Sequence, residues 1–151
     1  MSSRAGDDRP IRHFTIAEAD ALVPHLESTF ARILRIRTEL HSAAASLDRL
    51  GEATDPESLR RTEGAPEVRA IRGRAIALLE TLGEELDGLL ELGVQVKDLD
   101  TGLCDFVVRR EGRDVLLCWR LGEKQIGYWH ELDSGFRGRR PLDQAFERLL
   151  H

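Results

Sequence analysis

The sequence predicts an α+β fold, and three observations carry that prediction. Two long stretches, residues 24–50 and 66–92, place apolar side chains at helical spacing and are divided by a linker containing proline and glycine. After Gly93 the apolar period changes from 3.6 to two, as expected of strands. Near the C-terminus it returns to helical spacing. These elements imply a long antiparallel helical hairpin, its first helix kinked near Pro24, packed on a small antiparallel sheet of three or four strands, with a short C-terminal helix.

Each element has its own justification. Residues 1–12 are polar and charged and are expected to be a disordered tail; residues 13–151 are expected to form one α+β domain. Thr15 followed three residues later by Glu18 is a capping box, with Phe14 outside it as a staple, so a helix should start at Thr15. Pro24 removes a backbone donor inside the helical pattern and predicts a kink or a break into a short lead helix. From there Leu26, Phe30, Ile33, Leu40, Ala44 and Leu47 alternate by fours and threes, interrupted by Arg37. Gly51 stops this helix, and residues 52–65 read as a linking loop of about 14 residues, long for a compact domain.

The second helix begins with Pro66 in a favoured first position and buries Val68, Ile71, Ala75, Leu78, Leu82, Leu86 and Leu89. With helices of about 25 residues, some 38 Å at 1.5 Å per residue, an antiparallel hairpin over residues 14–93 is the simplest packing. Residues 94–133 form the sheet: Val94 and Val96 alternate with polar neighbours, residues 103–109 and 115–121 flank a short connection at 110–114, and 125–131 supply a further strand. Leu142, Ala145, Phe146 and Leu149 predict the terminal helix over residues 141–150.

Composition narrows the function classes. The net charge of −5 repels a polyanion and argues against general nucleic-acid binding. No apolar run approaches the roughly 20 residues a bilayer span needs, and the polar first ten residues carry no export signal, so the chain reads as cytoplasmic with no membrane partner. In that setting Cys104 and Cys118 are expected to be reduced thiols.

Chemistry-bearing residues crowd into residues 94–141. The motifs Phe14-Thr15-Ile16-Ala17-Glu18-Ala19, Gly93-Val94-Gln95-Val96-Lys97-Asp98-Leu99-Asp100-Thr101-Gly102-Leu103-Cys104-Asp105-Phe106, Leu117-Cys118-Trp119-Arg120-Leu121-Gly122-Glu123, Tyr128-Trp129-His130-Glu131 and Gly135-Phe136-Arg137-Gly138-Arg139 through Pro141 together resemble a family of small prokaryotic proteins, domain of unknown function 2203. Val107 stands where that family has a proline. The resemblance implies a soluble bacterial or archaeal protein and brings no activity, cofactor or catalytic residue with it.

Function is therefore argued from side-chain chemistry. Asp105, His130 and Glu131, with Asp98 and Asp100 reaching in from a loop, form a candidate divalent-metal site, because carboxylates suit hard cations and an added imidazole shifts preference toward zinc, manganese or iron. The competing reading has Asp98, Asp100 and Thr101 capping a turn and His130 satisfied by backbone. Arg120, Arg137, Arg139 and Arg140, with Trp129 alongside, form a candidate pocket for a small anionic ligand; the alternative pairs these arginines with nearby acids. Cys118 beside His130 or Arg120 is a candidate reactive thiol, set against a small buried strand residue. From a different class, the helical hairpin, with Leu34 and Ile36 outside its strict seam, is a candidate homodimer or adaptor surface for a helical partner. Whether the protein is an enzyme is left open by this order of residues.

Overall fold

The computed structural model describes residues 9–148. The expected tail falls mostly on residues 1–8, outside the described residues, as do the last two positions of the expected terminal helix. The described chain divides into two compact units, one made of the residues up to Leu26 together with those from Leu90 onward, the other of Glu27–Leu89.

In the first unit, the capping box forms as the sequence predicts. The Thr15 hydroxyl accepts from the Glu18 N–H at 3.0 Å, and the Glu18 carboxylate accepts from the Thr15 N–H at 3.0 Å. Both bonds hold the Glu18 carboxyl below its ordinary range, the backbone bond most of all. They open α1 (Ile16–Arg49), which runs through Pro24 without ending there, so no separate lead helix exists. Arg12, expected in the tail, is fixed instead: it donates to the Leu92 carbonyl at 2.9 Å and stacks over Phe14 at 4.1 Å.

The sheet has five strands, one more than the sequence reading allowed: β1 (Gln95–Asp98), β2 (Leu103–Arg110), β3 (Arg113–Arg120), β4 (Tyr128–His130) and β5 (Arg140–Pro141), paired antiparallel in chain order. The connection read as residues 110–114 is a two-residue turn, Glu111-Gly112. Both residues have positive φ, 50° and 75°, as the tight hairpin turns that match strand twist require. The strand expected over 125–131 is confined to β4. Pro141, expected in the terminal helix, lies in β5, where an edge strand tolerates its missing N–H. The terminal helix α4 (Gln144–Arg148) starts later, with the Asp143 carboxylate accepting from the Phe146 N–H at 2.7 Å.

Five consecutive residues are buried in each of β2 and β3, so the centre of the sheet is covered on both faces. Register sorts them. Cys104, Phe106 and Val108 stand opposite Trp119, Leu117 and Val115 on one face, and Trp129 opposite Leu117 continues it. Phe14 meets Phe106 edge-to-face at 5.1 Å, while Phe146 of α4 lies 4.9 Å from Trp129. Burying each such ring contributes roughly 1.5–3 kcal/mol, and Trp119 keeps its indole N–H satisfied on the Glu123 carbonyl at 2.8 Å. The other face carries Asp105, Val107, Leu116, Cys118 and His130.

The second unit is a helical hairpin. Arg32 pairs with Glu85 and Glu39 with Arg74, so partners descend along α3 (Pro66–Glu91) as they ascend along α1, which makes the pair antiparallel. The residues taken as a structureless loop contain a short helix, α2 (Pro56–Leu59), capped by Asp55 and started by Pro56. Leu59 completes an apolar cluster with Ala43, Leu47, Val68 and Ala75. Ile36 is buried, and so is one basic residue of this unit, Arg72, 5% exposed. Among the described residues no helix is long and apolar enough to cross a membrane.

Candidate metal site

Three donors of different chemistry meet on the second face of the sheet. The register sets Asp105 of β2 directly opposite Cys118 of β3 and His130 of β4 opposite Leu116, one pleat step from Cys118. The imidazole reaches diagonally over β3. Its Nε2 lies 3.1 Å from both Asp105 carboxylate oxygens. One donor atom from each of the three residues lies within 4.8 Å of the others, and all three residues are buried.

The proton positions follow from the partners. His130 Nδ1 is 2.7 Å from the Glu131 carbonyl oxygen, which can only accept, so Nδ1 carries the hydrogen. Nε2 then presents its lone pair to a carboxylate unless a proton or a cation lies between them. The Nδ1–H bond to a backbone carbonyl fixes the ring's orientation and points Nε2 at the carboxylate, a geometry that a His–Asp pair and a metal-binding histidine share. Two ligands 2.0–2.1 Å from a tetrahedral zinc ion are roughly 3.3 Å apart, close to the 3.1 Å between Nε2 and each Asp105 oxygen.

Burial raises the Cys118 thiol to about 12, offset in part by the Arg139 guanidinium and reinforced by the Asp105 and Glu123 carboxylates. Cys104, on the opposite face, is raised to about 12 by burial first and then by Asp105. Both are free thiols.

The other candidates disperse. Glu131 gives His130 its main-chain carbonyl, while the residue lines an open hollow of roughly 810 Å³ with Arg109, Arg113, Asp114 and Asp133. Asp98 accepts from the Asp100 N–H and the Thr101 hydroxyl, both at 3.0 Å, and so shapes a turn. Arg139 holds Glu123 through two nitrogens, at 3.0 and 2.9 Å, donates to the Cys118 carbonyl at 3.2 Å and lies 3.8 Å over the Tyr128 ring. Arg120 lies over Phe136, Arg140 over Trp129 on the opposite face, and Arg137 is exposed. Arg120 and Arg139 thus share the Phe136 ring, whereas Arg140 lies on the other face with Trp129.

Cys118 is the member of this cluster that sequence reasoning weighed only as a nucleophile. The signal was hairpin register. A connection centred on Gly112 sets Asp105 opposite Trp119, whereas the turn centred between Glu111 and Gly112 sets it opposite Cys118.

The sequence model of one family, described as an uncharacterized conserved protein (DUF2203), matches residues 12–142. No curated protein and no solved structure matches the chain significantly.

Proposed function

We propose, from the premise that the chain belongs to the DUF2203 family of uncharacterized conserved proteins, that it binds a divalent transition metal through Asp105, Cys118 and His130. The observation that carries this reading is the convergence of three buried donors, one oxygen, one sulfur and one nitrogen, within 4.8 Å. Mixed ligands of this kind suit zinc, and three protein ligands leave a fourth position for water or a small ligand. Binding exchanges the thiol proton for the metal, since only the thiolate is a ligand. The Glu131 carbonyl orients the imidazole, and Arg139, on the Cys118 carbonyl, steadies the strand beneath the sulfur. A cytoplasmic, prokaryotic setting belongs to the same reading, as free thiols suit a reducing compartment.

Plasma mass spectrometry of untagged protein tests the proposal, with His130→Ala and Cys118→Ser alongside. Near-stoichiometric metal that is lost in both variants supports it. No metal, even after incubation with zinc, manganese and iron and desalting, overturns it and leaves the three side chains as a buried hydrogen-bonded brace.

A second reading has support in the hairpin unit. Leu40, Ala44, Leu47, Leu59, Ala75 and Leu79 line an apolar hollow of roughly 280 Å³, and Leu34 and Leu79 are each more than a third exposed. Self-association through this surface is tested by light scattering; a strict monomer at high concentration removes it.

A further inference from the structure

A second binding site, independent of the sheet, lies in the hairpin unit. Where α2 leads into α3, a concavity of roughly 450 Å³ is lined by Arg60, Arg61, Arg69 and Arg72 over an apolar floor that includes Leu59 and Ile76. No carboxylate lies on its wall. This sets it apart from the open hollow at the sheet edge, where Arg109 and Arg113 face Asp114, Glu131 and Asp133.

Arg72 is the built part of the site. It is 5% exposed, donates to the Glu63 carbonyl and pairs with Glu52 at 2.8 Å, yet its Nε is buried with no hydrogen-bond partner among the described residues. The Nε atoms of Arg110 and Arg139 are buried in the same way, so it is the position of Arg72 on the wall of the hollow that bears on binding. Glu52 balances the Arg72 charge. Around it, Arg60 and Arg69 form no ion pair among the described residues, and Arg61 has only the nearby electrostatic influence of Asp55. In a chain of net charge −5, Arg60 and Arg69, with Arg61 beside them only partly offset by Asp55, make a local positive field on one hollow.

We propose that this hollow binds a phosphorylated small molecule, its phosphate groups held by Arg60, Arg61, Arg69 and Arg72 and its apolar part resting on Leu59 and Ile76. Forked guanidinium groups match phosphate oxygens two at a time, and three or more of them favour a multiply charged phosphate over a single carboxylate. The volume admits a diphosphate with a small organic group attached. Net negative charge elsewhere on the chain disfavours a long polyanion at the same place.

The test is calorimetric titration of the full chain with inorganic pyrophosphate, with EDTA present to remove metal, on the native protein and on Arg60→Ala/Arg69→Ala. Both substituted residues are exposed, so the double variant should fold. Saturable binding that weakens at least tenfold in the double variant, and severalfold when salt is raised from low to physiological strength, supports the site. Arg72→Met, if it folds, should weaken binding by a similar factor. An absence of binding by the native chain, or equal binding by the double variant, overturns the proposal.

Discussion

His130 Nε2 sits 3.1 Å from each oxygen of the Asp105 carboxylate, although the two residues belong to strands that are not neighbours in the sheet. The imidazole bridges the strand between them, with Cys118 close by. Any substitution that removes one partner leaves the other buried with its charge or lone pair uncompensated. Asp105→Ala is therefore expected to cost about 3–5 kcal/mol in urea unfolding. Asp105→Asn, of nearly the same shape and still able to meet Nε2, is expected to cost well under half of that. Equal stability loss in the two variants would count against an electrostatic role for the carboxylate.

Thr15→Ala removes the acceptor for the Glu18 N–H at the start of α1. A loss of about 1 kcal/mol is expected from chemical denaturation. The partner carboxylate adds a pH dependence. Glu18 is held below its ordinary value in the folded chain, so its contribution is present above the unfolded pKa and is lost as pH falls through the folded one. The stability gap between native chain and Glu18→Gln should close in acid, and a gap that is constant with pH would refute the assignment.

How much of this was legible can be judged from individual residues. The capping box at Thr15, the start of α3 at Pro66 and the change of period after Gly93 were readable because each is a local signal, complete within a few residues. The helix α2 was equally local, yet Pro56 was read only as part of a linking loop when, behind the Asp55 cap, it starts a helical turn. The fifth strand was not legible, because Arg140 and Pro141 become a strand only by pairing with Trp129 and Tyr128. Asp105 and His130 could be named from residue type. Their union with Cys118 depended on a one-residue choice of turn, and a one-residue slip changes every cross-strand partner.

Cys104 gives a second pH window at the alkaline end. Its folded pKa of about 12 lies above the 9.0 of an ordinary thiol, so folding favours the protonated form. That contribution is fully present below pH 9 and declines as pH rises from 9 toward 12, where the unfolded chain alone can ionise. Cys104→Ala should flatten the fall of the urea midpoint over this range. In the native state at pH 8, Cys104 is expected to resist a thiol reagent until denaturant is added. Prompt labelling without denaturant would contradict its burial.

Arg139 supplies the last test, because it joins several functions in one planar group. It holds Glu123 with two nitrogens, reaches the main chain at Cys118 and lies between the Tyr128 ring at 3.8 Å and the Phe136 ring at 4.6 Å. A lysine at this position keeps the charge but has neither the fork nor the flat face, so the substitution is not conservative. Arg139→Lys is expected to lose about 1–2 kcal/mol of stability, from the second nitrogen on Glu123, the bond to the Cys118 carbonyl and the ring contacts together. Hydrogen exchange should locate the loss: amides of β4 and of the turn at Phe136–Gly138 are expected to exchange faster, and those of the hairpin cluster around Leu47 to stay unchanged. If metal binding at Cys118 also weakens in this variant while Glu123→Gln leaves it intact, the bond from Arg139 to the strand carbonyl, and not the ion pair, is what steadies the site.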